Sequence, residues 1–196
     1  MATEVRLRDG SRALIWGLLP SDRDGLREAY EHLSPETKLH RFLTPVPHLT
    51  EAMLHHLVDD VDGVDHVARV LFVVDEQGVG EPAGLARMIR YADEPSAADV
   101  AVTVTDENQG RGIASALLDD LLRHRPEGVE RIVTEVAADN PASLAMLRRL
   151  GPTAVEHDGA HLLSVTVELP PPAPDRPPRP LGEHPAGGRP PGSTRS

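Results

Sequence analysis

The sequence predicts a mixed α/β domain, α+β-like, whose central twisted sheet is mostly antiparallel and has six to seven strands flanked by four to five helices. Three consecutive β-prone runs, at 66–75, 83–92 and 98–104, are joined by short turns, which favours an antiparallel meander. Helix-like runs precede the meander, and helices and strands alternate after it. The predicted order of elements is therefore β, helices, βββ, α, β, α, ββ.

The first third of the chain predicts one strand and then helices. The strand covers 11–19, "SRALIWGLL", and the first helix covers 21–33. Ser34 is the expected N-cap of a second helix, because the following Pro35 suits the first helical position. A third helix, "TEAMLHHLVD", is expected from Thr50, with Glu51 placed to suit the helix dipole.

The last third predicts alternating helices and strands. A helix is expected at 113–124 and a strand at 131–138. The next helix has Asn140 as its expected N-cap and Gly151 as its expected C-cap. The final segment predicts a β-hairpin that turns at 158–159, "DG", a pair that tolerates the left-handed backbone of tight hairpin turns.

The chain divides into a folded domain at 1–169 and a tail at 170–196. The tail holds 10 of the 19 prolines and almost no large apolar side chain. Such a segment cannot offset its ordering entropy by burial, so the tail is predicted to be disordered.

Composition excludes several classes of function. The chain has no cysteine, which removes disulfides, thiol nucleophiles and cysteine-based metal sites. Its formal net charge of -11 disfavours binding to nucleic acid, whose phosphates require positive charge. No run approaches the about 20 apolar residues that span a membrane, and the histidines lack spacings such as His-Glu-x-x-His. We therefore expect a cytoplasmic monomer or homodimer with no membrane, nucleic-acid or metal partner.

The stretch 101–118, "AVTVTDENQGRGIASALL", predicts a strand, a glycine turn and a helix in succession. Such a turn presents free backbone N–H groups and the positive end of the helix dipole, which favour a phosphate. The ATP-type Gly-Lys-Ser/Thr pattern is absent, since the only lysine is Lys38. The dinucleotide pattern G-x-G-x-x-G fits Gly110 and Gly112, but Ser115 stands at its third glycine, and the pattern belongs between parallel strands.

A third phosphate pattern, Gln/Arg-x-x-Gly-x-Gly/Ala, is met in full by Gln109, Gly112 and Ala114. With its preceding strand and following helix, this turn resembles that of the GCN5-related N-acetyltransferase (GNAT) superfamily, which binds the pyrophosphate of acetyl-CoA. The resemblance covers 5–169. The segment 33–50, followed by "HVARVLFVV", is similar to the acetyltransferase module of bacterial protein-lysine acetyltransferases.

The resemblance implies an acetyl-CoA-dependent N-acetyltransferase in which a primary amine attacks the thioester directly, with no covalent enzyme intermediate. The acceptor expected from the resemblance is a protein lysine or a small-molecule amine, with the lysine favoured. Backbone amides of the turn would bind the pyrophosphate, and a strand edge and a second helix would bind the pantetheine arm. The implied cofactor-binding residues are Val102, Thr103, Val104, Gln109, Gly110, Arg111, Gly112, Ile113, Ala114, Asn140 and Ser143.

The resemblance also implies catalytic groups. The N–H of Val104 would stabilise the negative charge that develops on the thioester oxygen. Asp99 stands where the lysine acetyltransferases carry a glutamate proposed as base, and its shorter side chain favours a water relay. Glu135 is the reserve base. Leu147 stands where the superfamily often has a tyrosine that assists departure of the thiolate.

Three interpretations stay open from the sequence. Leu147 and Asp99 motivate an acyl-CoA-binding sensor without turnover as the alternative to an enzyme. An NAD(P)-binding fragment is a third hypothesis, since two of the three glycines of that pattern are present. His40 and Arg41 are interpreted as surface or packing residues in preference to residues that line the acceptor groove.

Overall fold

The computed structural model describes residues 2–75, 77–159 and 161–171. Most of the predicted tail therefore lies outside the described residues. Within them the strands are β1 (Thr3–Arg6), β2 (Arg12–Gly17), β3 (His66–Val74), β4 (Gly80–Arg90), β5 (Ala97–Val104), β6 (Arg131–Ala137), β7 (Thr153–Asp158) and β8 (Leu162–Glu168). The α-helices are α1 (Arg23–Glu31), α2 (Pro35–Phe42), α3 (Glu51–Leu54), α4 (Ile113–Arg123) and α5 (Pro141–Arg148).

The described strands form one sheet in the order β1-β2-β3-β4-β5-β6-β8-β7. Every neighbouring pair is antiparallel except β5 and β6, so the predicted class and the predicted meander of β3 to β5 are confirmed. The sheet has eight strands instead of the six to seven predicted. The additional strand is β1, "TEVR", in which a single apolar valine between charged residues gives too little periodicity to predict a strand.

Helices cover both faces of the sheet, and each face has its own apolar core. On one face α4 packs on β3, β4 and β5, around the fully buried Leu117 and Leu121. On the other face the segment from α1 to α3 packs on Ala68 and Val70 of β3, with Leu54 as its fully buried centre. Among the described residues, no helix has both the length and the apolar character needed to cross a bilayer.

The parallel pair β5 and β6 separates soon after it begins. The strands are in register only at Ala97 and Ala98, whereas β4 pairs with β5 along its whole length. Thr105 N donates to Ala83 O on the β4 side at 3.0 Å, and N–H groups alternate along a strand. The N–H groups of Val102 and Val104 therefore face the gap between β5 and β6, which we call the open edge of β5.

Several predicted helix ends are confirmed, and one is wrong. The side chains of Ser34 and Thr50 cap α2 and α3, each accepting a backbone N–H at 3.2 Å. The helix after Thr50 is α-helical for only four residues and continues as a π-helix, His55–Asp59. Gly151 is not the C-cap of α5, because that position belongs to Arg149 in a right-handed conformation. A Cβ on Gly151 would lie 1.9 Å from Glu168 O, so this glycine is required by close approach to β8.

Candidate active site

The turn after β5 leaves the start of α4 without a side-chain cap. Gly110 and Gly112 both have positive φ angles, 77° and 88°, and Gly112 is the N-cap of α4. The first backbone bond of the helix runs from Ala116 N to Gly112 O, so the preceding N–H groups lack intrahelical partners. These N–H groups and the helix dipole are the features from which the sequence predicts an anion site.

Arg111, in the same turn, directs its guanidinium away from this anion site. Its Nε donates to Asp9 Oδ2 at 2.6 Å, and its Nη2 donates to Ser11 Oγ at 2.8 Å. Hydrogen bonds from Ser11 and then from Arg111 lower the pKa of Asp9 to about 2. Arg111 O also accepts from Arg8 N at 3.1 Å. The Arg111 side chain therefore fixes the turn to the β1–β2 connection, and only its backbone remains beside the anion site.

Two other arginines, not identified from the sequence, lie at this end of the site. Arg8 crosses over the turn, and a Cβ on Gly112 would lie only 3.1 Å from Arg8 Cγ. Arg149, just after α5, donates to Ser115 Oγ in the first turn of α4 at 3.0 Å. Both arginines are far from the turn in sequence, so only the fold brings their positive charge to it.

Two cavities follow the open edge of β5 and share a wall. The cofactor-side cavity, about 410 Å³, extends from Arg8 and the glycine turn to the start of α5. The acceptor-side cavity, about 520 Å³, lies between β5 and β6 beside Asp99 and Tyr91. We call the residues that line both cavities the junction residues: His40, Arg41, Val102, Asn140, Ser143 and Met146.

All the sequence-predicted cofactor residues except Arg111 line the cofactor-side cavity: Val102, Thr103, Val104, Gln109, Gly110, Gly112, Ile113, Ala114, Asn140 and Ser143. Val104 lines that cavity alone, whereas Val102 is a junction residue. Of the two residues whose N–H groups face the open edge, Val102 therefore lies nearer the acceptor-side cavity than the predicted Val104 does.

Asn140 acts as the N-cap that the sequence predicts. Its Oδ1 accepts from Ser143 N at 3.1 Å, at the start of α5. This bond uses the oxygen of the amide and leaves the Nδ2 group as a donor in the cavity wall. Capping and ligand binding by Asn140 are therefore compatible.

A hydrogen-bond cluster ties the start of α2 to the glycine turn. Asp106 accepts from Ser34 N at 2.8 Å and from the hydroxyls of Ser34 and Thr37, both at 2.7 Å. Gln109 Nε2 donates to Thr37 Oγ1 at 3.3 Å. Partial burial raises the pKa of Asp106, but these hydrogen bonds outweigh it and the pKa is lowered. The cluster holds α2 across the two cavities.

At its far end α2 contributes residues that the sequence analysis assigned to surface or packing roles. His40 and Arg41 are junction residues, which favours the alternative that they line the groove. Leu43, which ends α2 and lines the acceptor-side cavity, has a φ of 56°, a left-handed conformation that costs about 1 kcal/mol or more outside glycine. The helix therefore stops abruptly at the cavity wall.

The acceptor-side cavity contains the predicted base. Asp99 is half-buried and accepts from Thr134 Oγ1 at 2.7 Å. The reserve base Glu135, on the next strand, lines the same cavity but is exposed. Tyr91 also lines this cavity, and its hydroxyl donates to Val133 O at 3.0 Å. Burial and then the charge of Asp99 raise the pKa of Tyr91. Leu147 is only 2% exposed and adds an apolar part of the wall.

Tyr91 was missed because it is 56 residues from Leu147, the position where a tyrosine was expected. The pairing of β4 with β5 places Ile89 opposite Asp99. Tyr91 follows Ile89 by two residues, so this pairing brings it to the cavity that Asp99 lines. Among the described residues, no group of three or more His, Asp or Glu side chains is arranged to bind a metal ion.

The sequence matches a known family model and two curated relatives. The model of the acetyltransferase (GNAT) family matches residues 26–151. The acetyltransferase Pat of Mycolicibacterium smegmatis is 33% identical over 168 residues, which cover 85% of this chain and 49% of that protein. An acetyltransferase of Pseudomonas aeruginosa is 30% identical over 148 residues, which cover 74% of this chain and 77% of that protein. The chain thus spans about half the length of the M. smegmatis relative.

A solved structure has the same fold. The GNAT domain of S. lividans PAT superposes with a TM-score of 0.74 at 29% sequence identity. The superposition covers 86% of this chain and 97% of that chain. It therefore extends over nearly the whole of that domain.

Proposed function

Because the chain belongs to the acetyltransferase (GNAT) family, whose members are acyltransferases, we propose that it transfers an acetyl group from acetyl-CoA to a primary amine. One observation carries this proposal: the open edge of β5 joins a glycine-lined anion site at one end to a half-buried carboxylate, Asp99, at the other. In this proposal a long acyl carrier with phosphates would bind in the cofactor-side cavity, and an amine would bind in the acceptor-side cavity.

Acetyl-CoA would be held by backbone groups more than by side chains. The uncapped N–H groups at 112–114 would bind its pyrophosphate, with Arg8 and Arg149 adding positive charge beside them. The free N–H groups of Val102 and Val104 would pair with the pantetheine arm. Acetyl-CoA would supply the reactive thioester, and the protein would stabilise the developing charge and accept the proton of the amine.

We assign the stabilisation of charge on the thioester oxygen to the N–H of Val102. Val102 lines both cavities, whereas Val104 lines only the cofactor-side cavity, one strand repeat nearer the phosphate turn. A fixed backbone donor at the meeting point of the two substrates needs no rearrangement when charge develops.

Asp99 would receive the proton of the acceptor amine through a water molecule. An alkyl amine has a pKa near 10.4, so only about one molecule in 10³ is nucleophilic at pH 7. The Asp99 carboxylate is oriented by Thr134 Oγ1 and faces the cavity in which the amine would bind. A protein lysine is the acceptor we favour, supported by the similarity of 33–50 to bacterial lysine acetyltransferases.

The test is release of CoA from acetyl-CoA with a panel of lysine peptides and small amines. For the accepted amine we expect Asp99→Asn to lower kcat by about 10²-fold or more, because removal of a general base has effects of this size. Glu156→Gln, which changes an exposed carboxylate of β7 that lines neither cavity, is the matched control and is expected to stay within about threefold.

Two results would contradict the proposed acetyltransferase activity. Tight binding of acetyl-CoA with no release for any amine, unaffected by Asp99→Asn, would indicate an acyl-CoA-binding sensor. Thermal stabilisation by NADH but not by acetyl-CoA would favour the dinucleotide-binding hypothesis.

A further inference from the structure

Arg41 is a half-buried cation at the meeting point of the two cavities. Within the part of the chain that the structure describes, its guanidinium has neither a carboxylate within ion-pair distance nor a hydrogen-bond partner. It lies over the ring of Phe42, 4.7 Å from the centroid. Burial lowers the pKa of Arg41, and the charge of Asp99 opposes this only in part. The cation is therefore partly desolvated and has no paired carboxylate among the described residues.

Two other arginines of low exposure, Arg69 and Arg111, do have carboxylate partners. Arg69 donates to the fully buried Asp120 at 2.6 Å, and Arg111 donates to Asp9 at 2.6 Å. Removing a charge from water is costly unless the charge is paired, and these two pairs follow that rule. Arg41 departs from the rule at the place where substrates would meet.

A second arginine, Arg87, lies close enough to Arg41 for the two charges to interact. Arg87 of β4 is 4% exposed, and its Nε is buried with no partner among the described residues. Its Nη2 donates to His56 O at 3.2 Å and to His66 Nε2, both uncharged acceptors. Burial, and then the charge of Arg41, lower the pKa of Arg87 to about 10. The combined positive charge of Arg41 and Arg87 makes the neighbourhood of the junction residues attractive to an anion.

The position of Arg41 in the last turn of α2 does not explain its burial. A basic side chain there gains about 0.3–1 kcal/mol from the helix dipole, but an exposed side chain would gain as much without losing its hydration. Nor does the phosphate site explain it, because the phosphates would bind at the glycine turn. Arg41 instead faces the junction, where the acyl group and the amine would meet.

We propose that Arg41 binds a carboxylate of the substrates, supplied either by the amine acceptor or by the acyl group of a dicarboxylic acyl-CoA. The inference rests on the proposed function, because it assigns the acyl group and the amine to the junction. The planar guanidinium donates two parallel N–H bonds that match a carboxylate. For an acceptor that carries both groups, Asp99 would face the amine and Arg41 the carboxylate.

The experiment measures equilibrium binding, which does not depend on turnover. The acyl arm compares succinyl-CoA with acetyl-CoA, and the acceptor arm compares several amino acids with their carboxamides, and Glu-Lys with Gln-Lys peptides, on the CoA-bound protein. Each arm uses the wild type, Arg41→Gln and Arg41→Lys. Arg148→Gln, which changes an exposed arginine of α5, is the matched control.

In one arm we expect the wild type to favour the carboxylate ligand by about tenfold to a hundredfold, the range of a charge-assisted hydrogen bond. Arg41→Gln should reduce this ratio to near one, Arg41→Lys should retain part of it, and Arg148→Gln should keep it. The arm that responds identifies the source of the carboxylate. No preference in the wild type, or a preference that survives Arg41→Gln, would overturn the inference. Failure of CoA release with every amine would instead count against the proposed function.

Discussion

Gly110 and Gly112 of the glycine turn differ in what surrounds them, although both have positive φ angles. Gly110 has open space where a Cβ would lie, whereas a Cβ on Gly112 would meet Arg8. The first glycine is required by conformation alone, and the second by conformation and by the passage of an arginine. The same turn therefore contains its own control for separating backbone strain from crowding.

We predict that Gly112→Ala raises the Kd for acetyl-CoA by about tenfold, and more than Gly110→Ala does. Both changes add strain of about 1–2 kcal/mol at a positive φ, but only the first also displaces Arg8 from the turn. Calorimetric titration with acetyl-CoA, together with urea unfolding of each variant, would separate the effect on binding from the effect on stability. Equal Kd values for the two variants would refute the role assigned to Arg8.

At the scale of elements, α2 contributes residues to both cavities. Its first turn is attached to the glycine turn through Asp106, Thr37 and Gln109, and its last turn brings His40 and Arg41 to the junction. A helix of eight residues thus connects the two cavities. Loss of the hydrogen bonds that attach α2 to the glycine turn should therefore weaken the binding of both substrates.

We predict that Asp106→Ala weakens binding of acetyl-CoA by about threefold to tenfold, because three hydrogen bonds to the start of α2 are lost together. Glu107→Ala is the control, since this neighbouring carboxylate is exposed and, among the described residues, its side chain is hydrogen-bonded only to Asn108. Amide hydrogen exchange should be faster in α2 of Asp106→Ala than in α2 of the control. Unchanged exchange in α2 would mean that the cluster does not hold the helix.

For the whole molecule, the buried pair of His66 and Arg87 links stability to pH. Burial, then the charges of Arg87 and His56, lower the pKa of His66 from 6.5 to about 4, although Asp62 acts in the opposite direction. His66 is 5% exposed, so it stays neutral in the folded protein while the unfolded chain takes up a proton. The unfolded state binds more protons between these two pKa values, and stability therefore rises with pH across this range.

We predict that lowering the pH from 7 to 4 removes up to about 3 kcal/mol of unfolding free energy through His66. His66→Gln, which keeps an acceptor for Arg87, should flatten the curve between pH 4 and 6.5. The exposed His32→Gln is the control and should leave the curve unchanged. Urea unfolding at half-unit steps of pH measures the slope, and an equal slope in wild type and His66→Gln would exclude this mechanism.

The family and the class of fold could be recognised from local patterns. The glycine turn with Gln109 and Ala114 pointed to the GNAT superfamily, and the family model and relatives confirm it. The meander, the N-caps at Ser34 and Asn140 and the hairpin at 158–159 were also predictable, since each depends on residues close in sequence. Strand β1 was missed because a short strand of mostly charged residues has no distinctive period.

The sequence by itself determined the order of elements after β1 and the position of the glycine turn, because hydrogen bonding and side-chain periodicity over a few residues specify them. Asp99 as the candidate base followed from the family resemblance. Only the tertiary structure decided which distant side chains share the site. Tyr91, Arg8 and Arg41 reach it through strand pairing and helix packing, and Gly151 is required by a contact with β8. Contacts of this kind depend on long-range packing and leave no local pattern, which is why Arg41 was interpreted as a surface or packing residue from its sequence.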